Sequence, residues 1–226
     1  MYIYIMKTFS HTPIQIEDIS AISQPDGGRA YQTPEGKLYP SVTTVLAEHT
    51  KKGVMEWRQR VGDEEANRVS KRAASWGTRF HSIVEKYLQN NLTGGDVSLW
   101  ERDIFKVVTP VLDRIDNIHA QEVALWSHHL RLAGRVDCIA EFDGKLSIID
   151  FKTARREKDA SYIQHYFMQA AAYAIMFEER TKIPVNKLNI IIAVEDGMVQ
   201  LFQSKRDLHV EQLLYYRDLY EAFNVV

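Results

Sequence analysis

Two aspartates and a lysine lie in a short, largely apolar stretch, GRVDCIAEFDGKLSIIDFKT, residues 134–153. Asp143-Gly144 divides this stretch into two runs of β-forming residues, and the dipeptide is the strongest short-range signal for a two-residue type I′ hairpin. With these two residues as the turn, Asp137 lies directly opposite Asp150. Lys152 then points to the same face, because strand side chains alternate. The segment therefore predicts two carboxylates and one amine on one side of a hairpin.

Like charges directly opposite each other destabilise a sheet, so the paired aspartates need a partner. On an exposed face, Lys152 and Arg135 would form weak ion pairs with them, although the apolar neighbours Ile139 and Ile148 argue against full exposure. Alternatively, one aspartate is protonated and shares its proton with the other. In a third arrangement Mg²⁺ or Mn²⁺ binds both carboxylates, while Lys152 orients or deprotonates an attacking water and stabilises charge on a phosphate. Spacing alone leaves all three open.

Composition narrows the metal chemistry and the class of protein. The 226 residues are 45% hydrophobic and 26% charged, which fits one domain with a sizeable core. Cys138 is the only cysteine, which excludes intrachain disulfides, zinc fingers and four-cysteine iron-sulfur clusters, so oxygen and imidazole must hold any metal. No apolar run reaches the roughly 18 residues of a membrane span, and the first residues match neither a signal peptide nor a transit peptide. We therefore expect a soluble protein that contacts no membrane.

The net charge of −2 gives no case for nucleic-acid binding, but basic residues concentrate between positions 51 and 79. Within that segment Trp57 could offer a stacking platform for bases, beside a basic groove for the backbone. Core packing is the commoner role for a tryptophan, and a solvated helical face explains the charges equally well. Ser41 could offer its hydroxyl and helix N-terminal amides to a phosphate, although N-capping alone explains a serine there.

The remaining periodicity predicts the elements that position these side chains. Short strands or hairpins are expected in the first forty residues, with Tyr2, Tyr4 and Met6 alternating and a turn at TPEGK. Helices are expected from Ser41, over 54–88 with a break near Gly62, and over 97–115, 161–180 and 208–223. Strands are expected over 122–127, 130–142, 145–153, 188–194 and 198–203. This order predicts an α/β sandwich around a mixed central sheet.

The ordered motifs GTRFHSIVE, GRVD, IIDFKT and QAAAY resemble the PD-(D/E)XK nuclease superfamily, in particular its RecB-like exonuclease branch. The order carries the resemblance, since an isolated Asp-x-Lys is too common to be informative. The similarity runs from about Tyr39 to Tyr173. It implies a restriction-endonuclease-like core, a mixed β-sheet flanked by helices, in one nuclease domain over residues 1–226. Within that domain we expect N-terminal strands in 1–38, a helical part in 39–118, and the catalytic sheet and helices in 119–226.

The resemblance also implies a role for each residue of the hairpin. Asp137 and Asp150 would bind the metal, with the main-chain carbonyl of Phe151 as a further ligand. His81, on the helix that carries GTRFHSIVE, would contribute to the same metal site. Lys152 would position or activate the water that attacks the phosphodiester.

Three further polar residues keep two interpretations each. Gln169 and Tyr173 are four apart and share a helical face, so they either support the catalytic lysine and touch the DNA backbone or pack as part of an amphipathic helix. Glu122 matches an acid of the family and could bind metal or water, but an exposed glutamate at a strand end is equally consistent. His81, without the resemblance, would be read as a histidine at a helix–sheet contact.

Taken with the resemblance, the sequence predicts a Mg²⁺- or Mn²⁺-dependent deoxyribonuclease without an iron-sulfur cluster. It would be an exonuclease that prefers single-stranded DNA or free ends, acting in replication, repair or recombination in the cytoplasm of a bacterium or of a phage-infected host. Helicase motifs are absent, so a helicase, polymerase or recombinase would act as its partner. The alternatives are a duplex-end exonuclease, a structure-specific endonuclease, and a non-catalytic nucleic-acid binding module on a nuclease scaffold.

Overall fold

The computed structural model describes residues 7–25 and 27–224, and of residue 224 the backbone only. The alternation predicted for Tyr2, Tyr4 and Met6 lies outside the described residues. The strands are Ala21–Ser23 (β1), Arg29–Gln32 (β2), Leu38–Pro40 (β3), Ile115–Ser127 (β4), Leu132–Phe142 (β5), Lys145–Ala154 (β6), Lys187–Val194 (β7) and Met198–Lys205 (β8). The helices are Val42–Val61 (α1), Asp63–Leu88 (α2), Leu99–Leu112 (α3), Gln164–Thr181 (α4) and Val210–Asn224 (α5).

A five-stranded mixed sheet forms the centre, in the order β4-β5-β6-β7-β8. Its neighbours are antiparallel except β6 and β7, which are parallel and joined through α4. A parallel pair needs such a crossover, because a tight turn can only reverse the chain. The α/β class with a mixed central sheet is therefore confirmed.

Two hydrophobic clusters cover the two faces of this sheet. One cluster contains buried residues of α1, α4 and α5, and the other contains buried residues of α2 and α3. On β7, Ile190 and Ile192 belong to the first cluster, while Ile191 and Ala193 belong to the second. The unbroken apolar run of β7 thus has the cause expected from the sequence, since helices bury the strand on both sides.

The hairpin between β5 and β6 has the predicted turn and the predicted register. Asp143 and Gly144 both have positive φ, 51° and 71°, as a type I′ turn requires. Pairing runs from Phe142 opposite Lys145 to Cys138 opposite Ile149, and among the described residues the β5–β6 ladder ends there.

Beyond its last pair the hairpin opens, because β5 continues alongside β4 while β6 continues alongside β7. We call the opening, between residues 134–137 of β5 and 150–154 of β6, the strand fork. Asp137 and Asp150 are the first residues of the fork, one position past the ladder. They are opposite in register, as predicted, but they do not form a ladder pair.

Three predicted boundaries are wrong, by three to seven residues. The helix expected over 97–115 ends at Leu112, and Ile115 already begins β4, seven residues before the predicted strand start. Ile115 is fully buried and pairs with Phe142, so sheet pairing overrides a locally helical pattern. The helix expected from Ser161 begins at Gln164, after a 3₁₀ turn at Ala160–Ile163.

The N-terminal strands form a small antiparallel sheet, β1-β2-β3, as predicted for this region. The TPEGK turn joins β2 to β3, where Gly36 has φ of 80° and donates its N–H to the carbonyl of Thr33. Tyr31 and Tyr39 of this small sheet are buried in a cluster with residues of β4 and β5. Among the residues that the structure describes, no helix combines the length and apolar character needed to cross a membrane.

Candidate active site

The Asp137 carboxylate joins the two arms of the strand fork. Its Oδ2 accepts a hydrogen bond of 2.8 Å from the backbone N–H of Phe151 on the opposite arm. The side chain therefore takes the place of the backbone pairing that the ladder loses at this point. Asp137 keeps 12% of its side chain exposed and Asp150 only 1%, so the interpretation as an exposed ion-paired face is wrong.

Lys152 lies against Asp150 on the same arm of the fork. Its Nζ is 2.8 Å from Oδ1 and 2.7 Å from Oδ2 of Asp150, but only the Oδ1 contact has hydrogen-bond geometry. The buried Oδ2 is left without a hydrogen bond. From α4, Tyr166 presents its ring 5.1 Å from the same ammonium group. Lys152 therefore lies on the same side as Asp150, as strand alternation predicts.

Helix α2 and strand β4 bring two more candidate ligands to Asp137. His81 Nδ1 lies 3.6 Å from Asp137 Oδ1 and 3.9 Å from Glu122 Oε1. One ligand atom from each of the three residues can be chosen so that all lie within 4.8 Å of one another, and Asp150 is outside this set. Glu122 has φ of 49°, unusual for a residue other than glycine, asparagine or aspartate. The exposed strand-end interpretation of Glu122 is thus wrong, since the side chain faces the fork.

The site carries more negative charge than its own cations offset. Burial raises the pKa of Asp137 to about 7, and the charge of Asp150 adds to this rise. Burial opposes protonation of His81, but the nearby carboxylates of Glu122 and Asp137 outweigh it and raise the pKa of the imidazole. Burial likewise opposes the Lys152 ammonium, yet the charges of Asp150 and Asp137 raise its pKa. Further positive charge would stabilise this group of side chains.

The donor atoms suit a hard divalent cation. Carboxylates of Asp137 and Glu122 and the imidazole of His81 lie together, with the Asp150 carboxylate close by, and oxygen ligands are those that hard divalent cations prefer. Among the described residues, the Oδ2 of Asp150 makes no hydrogen bond and is approached only by the Lys152 ammonium, so this oxygen is also available as a ligand. The residues present therefore fit a divalent ion.

Gln169 and Tyr173 lie on α4 and are buried, at 8% and 2% exposure. The Gln169 amide donates to the Tyr173 hydroxyl at 3.1 Å. The Tyr173 ring lies so close to the β5 backbone that a Cβ added at Gly134 would be 2.9 Å from its Cε1. Both residues therefore support the fork from behind, and their depth leaves direct contact with a DNA backbone without structural support.

Ser41 and Trp57 are not drawn into this group by the described contacts. Ser41 is the N-cap of α1, is 1% exposed, and its Oγ accepts from the Thr44 N–H at 3.1 Å. Trp57 is half-buried on α1 and belongs to neither sheet-covering cluster. Four of the eight basic side chains between positions 51 and 79 pair with acids of α1 and α2, in Lys51–Glu48, Lys52–Glu56, Arg58–Asp63 and Arg68–Glu65. The solvated-face interpretation therefore accounts for about half of these charges.

Two contributors to the site are missing from the sequence interpretation. Gly134 is required by the Tyr173 ring, and the only sequence signal is a glycine inside a strand pattern, which indicates close backbone approach. Tyr166 lies three residues before Gln169 on the same helix, but no spacing rule predicts that its ring meets Lys152.

Comparison with known proteins gives a consistent family match. A model of the PD-(D/E)XK nuclease superfamily matches residues 97–222, a range that includes the whole fork but neither His81, Ser41 nor Trp57. Mitochondrial genome maintenance exonuclease 1 of Homo sapiens is 32% identical, covering 71% of this chain and 50% of that protein. Its Mus musculus counterpart is 28% identical, covering 70% and 50%. The chain thus spans about half the length of the curated relatives it matches.

The motifs from Tyr39 to Tyr173 indicate, within the RecB-like branch, a likeness to mitochondrial genome maintenance exonuclease, and these relatives confirm it. A solved structure from Eubacterium rectale matches with 12% identity and a TM-score of 0.45, covering 65% of this chain and 64% of that one. A score of this size adds nothing to the family match.

Replacing Gly134 by alanine should destabilise the protein by about 1–3 kcal/mol, because the new Cβ forces the Tyr173 ring away from the fork. Gly77→Ala on α2 is the matched control. Its Cβ would meet only Thr153 Oγ1, at 3.7 Å, and alanine is favoured over glycine in a helix by about 1 kcal/mol. Urea unfolding of both variants measures the difference. Equal loss of stability in the two would contradict the close contact.

The raised pKa of Asp137 predicts a pH dependence of stability in metal-free buffer. The unfolded state releases this proton near the ordinary value of 3.8, whereas the folded state holds it to about 7, so the contribution of Asp137 is lost as pH rises through that window. The free energy of unfolding of the wild type should fall relative to Asp137→Asn over this range. Chemical denaturation at a series of pH values measures it, and a constant difference would contradict the shift.

Glu101 supplies the opposite sign as a control for the same measurement. Its hydrogen bond from Arg79 lowers its pKa to about 2, so its contribution is present above the ordinary value of 4.5 and is lost as pH falls toward 2. The free energy of unfolding of the wild type relative to Glu101→Gln should therefore fall as the pH is lowered. Over the same acidification, the free energy of unfolding of the wild type relative to Asp137→Asn should rise.

Proposed function

The chain belongs to the PD-(D/E)XK nuclease superfamily, and from this premise we propose that it is a divalent-metal-dependent DNA exonuclease. The observation that carries the proposal is the strand fork, where His81, Glu122 and Asp137 meet beside the Asp150–Lys152 pair. A structural ion pair would need one acid for one amine. Here three carboxylates surround one buried amine and one histidine, which is the composition expected of a metal-assisted hydrolase.

We assign Asp137 and Asp150 as the principal metal ligands, with the main-chain carbonyl of Phe151 and the side chains of His81 and Glu122 as further ligands. The contacts support this assignment because Asp137 is fixed by the Phe151 N–H and faces His81, while Asp150 retains an oxygen without a hydrogen bond. When bound, Mg²⁺ or Mn²⁺ supplies charge that stabilises the transition state of phosphodiester hydrolysis and acidifies water.

We assign Lys152 to orienting the attacking water and to stabilising negative charge on the phosphate. The charges of Asp150 and Asp137 raise its pKa, which supports a protonated amine that donates hydrogen bonds. The Tyr166 ring and the Asp150 carboxylate fix the direction of the ammonium group, so that little reorganisation is needed when a phosphate arrives.

Gln169 and Tyr173 position the fork, and Trp57 stays the proposed DNA contact on α1. Ser41 is too deeply buried to contact DNA, because it is 1% exposed and its hydroxyl is bonded as the N-cap of α1. The proposed need for a free end is supported by the names of the relatives, which are exonucleases. The preference for single-stranded DNA stays a prediction. Three expectations stay predictions. They are a role in replication, repair or recombination, a helicase, polymerase or recombinase partner, and action in a bacterial or phage-infected cytoplasm.

Lys152→Gln and Asp150→Asn should each lower the rate of DNA cleavage by roughly 10²–10⁴-fold, because each removes a group that acts on the reacting phosphate or its metal. Asp143→Asn, in the turn of the same hairpin, is the matched control and should retain activity, since asparagine also accepts positive φ. The assay follows end-labelled single-stranded DNA with Mn²⁺ present. Wild-type rates in either site variant, with the fold intact by circular dichroism, would contradict the site assignment.

A panel of substrates tests the proposed preference. Linear single strands should be degraded fastest with Mg²⁺ or Mn²⁺, and closed single-stranded circles should stay intact because an exonuclease requires an end. Cleavage of circles would instead show an endonuclease, and faster loss of blunt duplex would show a duplex-end enzyme. Full-strength DNA binding in a chelating buffer, with no product when metal is restored, would identify a non-catalytic binding module.

A further inference from the structure

A cavity of about 560 Å³ lies at the end of the central sheet opposite the strand fork. Its walls come from the β5–β6 hairpin and from the adjoining ends of β7 and β8. Along β6, three residue steps from Ser147 to Asp150 separate it from the first residue of the fork by about 10 Å, at roughly 3.3 Å per residue. None of the residues assigned to cleavage lines this cavity, so a ligand there would occupy a separate site.

Three lysines from three neighbouring strands surround the cavity: Lys145, Lys187 and Lys205. Lys187 is directly opposite Lys205 in the β7–β8 ladder, a like-charge arrangement that destabilises a sheet. Among the described residues, none of the three ammonium groups forms an ion pair or a hydrogen bond. The only acid in the lining, Asp143, is held by Arg114 through bonds of 3.0 and 2.6 Å. The Asp143 carboxylate also feels the charge of Lys145. Lys187 and Lys205 are therefore the two positive charges of the lining without a compensating acid among the described residues.

The cavity also contains a buried amide. Asn189 is 2% exposed, and its Oδ1 accepts from Gln203 Nε2 at 2.8 Å. This bond fixes the orientation of the amide, which leaves its NH₂ group to face the cavity. A ligand oxygen or ring nitrogen can accept a hydrogen bond from it. Leu208, also in the cavity wall, offers apolar surface, because its side chain is largely exposed.

We propose that this cavity binds a nucleotide, either as a free nucleoside monophosphate or as one unit of a nucleic-acid chain. The phosphate lies between Lys187 and Lys205 and relieves their repulsion, with Lys145 at the rim. The base lies against Leu208 and accepts a hydrogen bond from Asn189. The volume is within the range of small-molecule sites, about 300–1,000 Å³. The proposal goes beyond the nuclease function, because binding here requires neither the fork nor a metal.

Binding of a fluorescently labelled nucleoside 5′-monophosphate to the full chain, in buffer with EDTA, tests the proposal directly. The double variant Lys187→Ala/Lys205→Ala should bind at least about tenfold more weakly than wild type, because each lysine loses a charge-assisted contact. Lys37→Ala/Lys71→Ala removes the same net charge from two exposed lysines outside the cavity and should bind within about twofold of wild type. The melting temperature of the first variant should not fall, since it removes a like-charge pair.

Three results would overturn the proposal: no saturable binding of nucleotide or oligonucleotide to wild type, equal weakening in both double variants, or equal competition by inorganic phosphate. The last would show that the base makes no contribution. Binding of a labelled oligonucleotide, measured with the same variants, shows whether the ligand is a free nucleotide or part of a chain. Displacement of a labelled oligonucleotide by free nucleotide supports a site for the free molecule, whereas lysine-dependent binding of the oligonucleotide alone supports a chain.

Discussion

The divergence of β5 from β6 is the constraint on which the candidate site depends. Backbone pairing between the two strands stops at Cys138 and Ile149, because each strand has a different neighbour to follow. The Asp137 carboxylate then crosses the gap to the Phe151 N–H, so a charged side chain satisfies a donor that the ladder no longer serves. The same opening gives α2 access to the fork, and α2 brings His81 to Asp137.

Burying these carboxylates close together costs free energy, and the packing of the surrounding core offsets part of it. Buried ions lose hydration worth several kcal/mol each, and an attractive partner recovers this only with good geometry. Asp150 has such a partner in Lys152, whereas Asp137 faces a histidine and a second carboxylate, and its pKa rises to about 7. The surrounding core is correspondingly close-packed, with Tyr173 against the β5 backbone at Gly134. Like charges buried together and held in place by close-packed neighbours are expected at a functional site, because they do not stabilise the fold by themselves.

The sequence is sufficient for the turn, the register and the order of elements, because each depends on local chemistry. Asp143-Gly144 selects a type I′ turn, the turn sets the pairing, and the apolar run of β7 requires cover on both faces. It is not sufficient for the end of the ladder, which depends on β4 and β7 rather than on β5 and β6 themselves. The positive φ that turns Glu122 toward the fork and the contact of Tyr166 with Lys152 are likewise tertiary, and no spacing rule specifies them.

Anomalous diffraction from a crystal soaked in Mn²⁺ would test the central claim most directly, namely that the strand fork is a divalent-metal centre. The account predicts an anomalous peak within bonding distance of an Asp137 carboxylate oxygen, with His81, Glu122 or Asp150 completing the ligands. Crystals of Asp137→Asn, soaked identically, should lose the peak or show it strongly reduced. A fully occupied Mn²⁺ elsewhere on the chain with none at the fork, or an Mn²⁺ that the Asp137→Asn crystals retain unchanged, would contradict the account.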